Sequence, residues 1–297
     1  MISHTVRGRE GGRPMAIRKI PFAYVDSIEP VWNPQKPEWS HMVNGASLTM
    51  PYLEPFLIKT MLEAVKQVDD AGLKADVRGF IGQEGQHYMN HQRYNDTLKR
   101  KGYTDLSDVE AEMTEDYKRL QGKSLRWRLA YTAGFETMTM GITEWLIEAR
   151  KDLFMDSDPV VASLILWHMV EETEHKTVAF ELYQELFGDY FARLGGLIYA
   201  TYHISKFSRR TYKRMMQRDG TWGRLSCRLR LWGMVAQFGW NIAPALLRSL
   251  LPGHHPDDVT DPVWVTQWAD AYAGLSGDDM PLLDTSDPEV PAQFTPA

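Results

Sequence analysis

The chain of 297 residues is 43% hydrophobic and 24% charged, enough apolar content to bury a sizeable core in one large domain or two smaller ones. Its net charge of -6 argues against general nucleic-acid binding, which needs a basic footprint to displace phosphate counterions. Cys227 is the only cysteine, so an intrachain disulfide and a thiolate-rich zinc site are excluded and a reducing, cytoplasmic setting is expected.

In chain order, the opening "MISHTVRGREGGRPMAIRKI" is polar, basic and glycine-rich without an apolar core region, which is not a secretory signal and reads as a loose tail. "PVWNPQKPEW" continues it as extended coil or a small hairpin, giving an N-terminal extension over residues 1–45. Helical periodicity then predicts helices over about 51–70, 73–101, 108–120, 124–152, 158–187, 189–217, 222–250 and 261–274, separated by turns at "DDAG", "KGYTD", "QGKS", "MDSDP" and "RDGTWG". No alternating strand pattern interrupts them, so residues 46–275 are expected to form one all-α domain. The acidic, proline-rich end, residues 276–297, is expected to pack poorly or to wrap the surface. The most apolar run, "LGGLIYATYHI", is too short and too glycine-interrupted to span a bilayer, so no transmembrane segment is expected. Residues 206–232 mix Lys and Arg with aromatics. Solvated faces of two amphipathic helices with inward aromatics are the preferred reading, ahead of a membrane surface, an acidic partner or nucleic acid.

Two helices carry ionisable residues where their apolar stripes should continue. Over 73–101 the stripe of Val77, Phe80, Ile81, Tyr88, Tyr94 and Leu98 is broken by Glu84, His87 and His91. Over 158–187 the stripe of Val161, Leu164, Ile165, Val178 and Leu182 is broken by His168, Glu172 and His175. Unpaired burial of such groups costs several kcal/mol. Glu84–His87 and Glu172–His175 share Glu-x-x-His spacing, which aims a carboxylate and an imidazole at one point, the geometry by which bundle helices hold a di-iron or di-manganese centre. That scheme requires one further Glu from each of two other helices. Glu136 lies on the stripe of Leu129, Ala133 and Met140, with Glu144 and Glu148 off it; Glu54 lines up with Leu57, Met61 and Val65, with Glu63 opposite. Carboxylates and imidazoles without thiolate suit two ions of iron, with manganese or zinc as alternatives.

The pattern resembles the ferritin-like di-metal carboxylate superfamily, which implies a ferritin-like four-helix bundle with additional C-terminal helices. More narrowly, "NGASLTMPYLEPF", "IGQEGQHYMNHQRYN", "WHMVEETEHKTVAFELY" and "LLRSLLPGHHPDD" resemble a bacterial family named predicted metal-dependent hydrolases. A second likeness, to di-iron arylamine N-oxygenases, implies a third His four residues before the Glu of the last Glu-x-x-His, and His168 stands there. Together these imply Glu54, Glu84, His87, Glu136, His168, Glu172 and His175 as metal ligands. His91 is a neighbouring partner or an alternative ligand, and Glu171, Glu174 and Lys176 are expected in ion pairs around the site. Pro55 departs from the pattern and is expected to disrupt its turn or to start the helix, leaving Glu54 at the helix mouth. Thr137 replaces a His that the hydrolase-named family tends to carry.

The leading functional expectation is a di-iron enzyme that activates O2 to oxidise a small organic substrate at an amine or C–H group, with an electron donor as a further partner. Its alternative is a di-metal hydrolase using a hydroxide that bridges the two ions. A third reading, iron storage or a scaffold, is disfavoured because the extra helices and many Trp and Tyr point to a lined cavity. The apolar C-terminal helices suggest a homodimer.

Overall fold

The computed structural model describes residues 15–273 and 282–287. Among the described residues the regular structure is entirely helical. The helices are α1 (Pro37–Ser47), α2 (Met50–Ala64), α3 (Ala71–Arg100), α4 (Leu106–Gln121), α5 (Leu125–Glu148), α6 (Arg150–Phe154), α7 (Pro159–His175), α8 (Val178–Leu186), α9 (Tyr190–Arg218), α10 (Leu225–Ser249) and α11 (Val263–Ala273).

Local chemistry sets most of the starts. Asp70, Ser124, Asp158 and Asp189 each accept a hydrogen bond from a free amide of the first turn that follows. Pro159 occupies the first position of α7, where its missing N–H costs nothing. The helix expected over 158–187 is interrupted at Lys176 and Thr177, just after His175. Helix α1 falls on residues that the sequence reading assigned to a coil extension. Pro37 starts it, but its inner face carries Ser40, His41, Asn44 and Ser47 beside Trp39 and Val43, so no apolar period marks it.

Four helices surround the centre of the molecule: α2 packs on α3, α5 on α7 and α8, α2 on α5, and α3 on α7 and α8. Helix α5 is enclosed further by α9 and α10, which also pack on α1. Backbone contact brings α5 and α9 together, since a Cβ on Gly196 would strike the Ala130 carbonyl and one on Gly134 would strike the Leu197 amide. Pro55 lies inside α2 and does not start it. The preceding turn is already closed by the Tyr52 and Leu53 amides on the Thr49 carbonyl, so the proline removes one bond near the helix start and Glu54 stays in the helical register.

The N-terminal stretch, from residue 15 onward, is a strap and not a loose tail. Ile20, Phe22, Ile28 and Trp32 are buried, the Phe22 ring lies 5.7 Å from that of Trp167, and Gln83 Nε2 and Arg93 donate to the Ala16 and Phe22 carbonyls. Residues 1–14 lie outside the described residues. Of the tail, residues 282–287 run along the start of α7, with the Leu283 amide on Ser163 Oγ and the Asp156 amide on the Thr285 carbonyl.

Because a methyl at Gly196 meets backbone and not a flexible side chain, Gly196→Ala is expected to destabilise the protein by roughly 1–3 kcal/mol or more, read as a lower urea midpoint. Gly195→Ala, where a Cβ meets nothing within 4 Å, is the control expected to leave it unchanged or raise it slightly.

Candidate metal centre

The seven residues expected from the sequence converge on one buried volume. Glu54 comes from α2, Glu84 and His87 from α3, Glu136 from α5, and His168, Glu172 and His175 from α7, none more than 4% exposed. Ligand-type atoms of Glu54, His87 and His168 lie within 4.8 Å of one another, as do those of Glu84, Glu172 and His175. Glu136 belongs to neither group of three but stands beside the second, its Oε2 3.4 Å from His175 Nε2. Glu84 Oε1 faces both groups, 3.6 Å from His87 Nδ1 and 3.4 Å from His175 Nε2. Glu172 Oε1 does the same, 2.9 Å from His168 Nε2 and 3.6 Å from His175 Nε2.

The outer hydrogen bonds fix which nitrogen each imidazole turns inward. Asn95 Nδ2 donates to the Ser47 carbonyl, so Asn95 Oδ1 takes the single Ser47 hydroxyl hydrogen. Ser47 Oγ must then accept from His91 Nδ1, and His91 Nε2 must accept from His168 Nδ1, each at 2.8 Å. His168 Nε2 is thereby turned inward, 2.9 Å from Glu172 Oε1 and 3.8 Å from Glu54 Oε1. Gln83 Nε2 donates to the Ala16 carbonyl and to Glu174, so its Oε1 accepts from His175 Nδ1 at 3.0 Å and frees His175 Nε2. His87 Nε2 donates to Glu171 at 2.9 Å, and Glu171 is held by Arg18, which also grips Glu174 with both terminal nitrogens. Three imidazoles therefore turn their second nitrogens, His87 Nδ1, His168 Nε2 and His175 Nε2, to one interior, the arrangement that outer carboxylate or carbonyl partners impose on metal-binding histidines.

His91 is thereby a partner of His168. Lys176 bonds the Val259 carbonyl and Asp261, and Thr137 bonds the Ala133 carbonyl of its own helix. Sequence reasoning missed Arg18, Gln83, Ser47 and Asn95, because polar residues outside a periodic motif carry no sign of their long-range partners.

This interior is short of hydrogen-bond partners. Nine buried polar atoms have no hydrogen-bond partner: both carboxylate oxygens of Glu54, Glu84 and Glu136, with Glu172 Oε2, His87 Nδ1 and His175 Nε2. Stranding so many costs several kcal/mol unless something pairs with them. Burial, with repulsion from Glu172, pushes the Glu84 and Glu136 carboxyls up to about 8. Burial and Glu84 likewise raise Glu54 well above the ordinary carboxylate range. Burial opposes charge on Glu172 too, but His175 and His168 outweigh it and hold that carboxyl well below its usual value. Burial alone would lower His175, yet Glu172 and Glu136 raise it far above an ordinary imidazole. Four carboxylates would be neutralised by two divalent ions, and the donor set of oxygen and imidazole nitrogen fits iron, manganese or zinc.

A small surface pocket reaches Glu172 between Met140, Thr143, Thr173 and Lys176, closed on its outer side by Val259–Pro262. Aromatic side chains do not line this pocket. Phe80 and Trp167 instead pack on the His175 and His87 rings, at 4.8 and 4.9 Å between centroids.

Two outcomes follow from this geometry. Raised carboxyls contribute stability that is present below their unfolded value near 4.5 and lost as pH climbs through about 8. The metal-free protein should therefore lose thermal stability from pH 5 to 9, while metal addition stabilises it increasingly over the same range; melting curves with and without metal would show the divergence. Glu171→Ala frees the outer face of His87 and is expected to weaken metal binding by about 10–100-fold, measured by competition with a chromophoric chelator.

A model of the family described as predicted metal-dependent hydrolase matches residues 16–260, a span that includes all seven converging side chains and the strap residue Arg18. No curated protein and no solved structure matches the chain. With most of its length matched and ligand-type clusters at its centre, the chain belongs to the predicted metal-dependent hydrolase family.

Proposed function

We propose that the chain is a two-metal enzyme that hydrolyses a small substrate. In this reading Glu54, His87 and His168 would hold one ion and Glu84, Glu172 and His175 the other, with Glu136 beside the second group. The observation that carries it is the position of Glu84 Oε1, within 3.6 Å of inward nitrogens from both groups. Iron is the first choice of metal, with manganese or zinc as alternatives. When bound, such a pair supplies Lewis acidity and brings the pKa of a water toward neutrality. The family description supports hydrolysis.

The protein's own contribution is orientation and exclusion. Glu171, His91 and Gln83 hold three imidazoles so that no rotation or tautomer change is needed when the site fills. Phe80 and Trp167 wall the imidazoles from solvent, which strengthens electrostatic interactions inside. Thr143, Thr173 and Lys176 line the approach to Glu172 and would meet the polar group of an entering molecule first. The small pocket favours a small substrate.

A second reading, oxidation of a small organic substrate by O2 with an external electron donor, is supported by His168. It adds a third imidazole, 2.9 Å from Glu172 and 3.8 Å from Glu54, to a carboxylate-rich site.

Metal-loaded protein incubated with a panel of esters and amides, in air and under argon, separates the two. Hydrolysis predicts metal-dependent turnover that is equal in both atmospheres; turnover only in air, with matching O2 uptake, assigns the second reading. His175→Ala should halve the metal bound per chain by elemental analysis, and an unchanged stoichiometry would remove the ligand assignment.

A further inference from the structure

Helix α10 is apolar on two opposite faces. Its inner face is seated on the bundle through Cys227, Leu231, Ile242 and Ser249, with Ala245 close against Gly141 of α5. Its outer face repeats at three- and four-residue steps through Leu225, Leu229, Trp232, Ala236, Trp240, Ala243 and Leu247, and Leu251 continues it. Trp240 is 82% exposed, Leu247 64% and Leu229 61%. The inward aromatics expected for residues 206–232 occur at Phe207 and Tyr212, whereas Trp232 points outward. Helix α9 begins beside the end of α10, where Tyr190 and Arg193 bond the Leu250, Ser249 and Leu251 carbonyls, and there Phe191 adds a side chain that is 79% exposed.

Charge decides what covers this surface. Residues 190–251 carry eleven Lys and Arg against the single acidic residue Asp219, within a chain whose net charge is -6. Some of these cations are spent inside the fold: Lys206 and Arg210 on Glu112, Arg214 on Asp108, and Arg230 on Glu38. Arg224, Arg228 and Arg248 stand at the two ends of α10, and the helix itself contains no carboxylate. Two copies pairing along this stripe would bring arginine toward arginine in either orientation. An anionic lipid surface, in contrast, accepts the Trp and Leu side chains at the headgroup boundary and the arginines among its phosphates. Among the described residues no helix is long and apolar enough to cross a membrane, so the contact is one of lying on the surface.

We propose that the outer face of α10, with Phe191, docks this protein on the surface of an anionic lipid bilayer. The full-length protein would be sedimented with vesicles of phosphatidylcholine alone and of an equal mixture with phosphatidylglycerol, at low and high salt. Binding to the mixed vesicles, weakened by salt and absent from phosphatidylcholine, is expected. Trp240→Ser with Leu247→Ser should reduce partitioning by about tenfold or more, with helicity and metal content unchanged because both side chains face outward. Arg228→Glu with Arg248→Glu should reduce it on the anionic vesicles. The proposal is overturned by three results: no sedimentation with either vesicle, equal binding to both irrespective of salt, or a dimer in solution that the Trp240→Ser, Leu247→Ser variant dissociates.

Discussion

Four carboxylates buried within a few ångströms of one another repel, and everything at the centre of this protein is arranged around that repulsion. Glu54, Glu84, Glu136 and Glu172 come from four different helices, so α2, α3, α5 and α7 cannot close unless something positive sits between them. Protons serve in part, which is why burial drives Glu84 and Glu136 up to about 8. Protons leave most of the carboxylate oxygens without a partner, however, and His87 Nδ1 and His175 Nε2 face the same space without a hydrogen-bond partner. Two divalent cations would answer both deficits at once, and in doing so would tie four helices together.

Rigidity around the centre comes from a second layer of polar contacts that reaches far along the chain. Arg18, from a stretch without regular structure, clamps Glu171 and Glu174 and is itself covered by the Trp268 and Tyr272 rings of α11. His91, Ser47 and Asn95 form a chain of hydrogen bonds that ends on His168. Buried polar chains of this kind hold one geometry because every alternative leaves a donor or acceptor stranded. The N-terminal strap and α11 thus belong to the site even though neither supplies a residue to its interior.

Much of this was legible in the sequence where a periodic pattern was broken. Glutamates and histidines in the apolar stripes of α3 and α7 marked the centre, because a helix period fixes which residues face inward. The same logic placed Glu136 and Glu54, and the in-helix position of Pro55 follows from bonds already made at Thr49. Helix α1 was not legible, since its buried face is half polar and the period disappears. Nor was the outward stripe of α10: residues 206–232 were read as solvated faces with inward aromatics, and only the packing of one side on α5 and α1 decides which apolar residues are left outside.

By itself the sequence determined the helical class, the order of the main helices and the seven side chains that meet at the centre, because spacing along a helix is a local property. Tertiary structure alone decided which carboxylates face both histidine groups, which nitrogen each imidazole offers, and which distant residues enforce that choice. Those are matters of distance between side chains far apart in sequence, such as Gln83 and His175 or Arg18 and Glu171, and no local spacing encodes them.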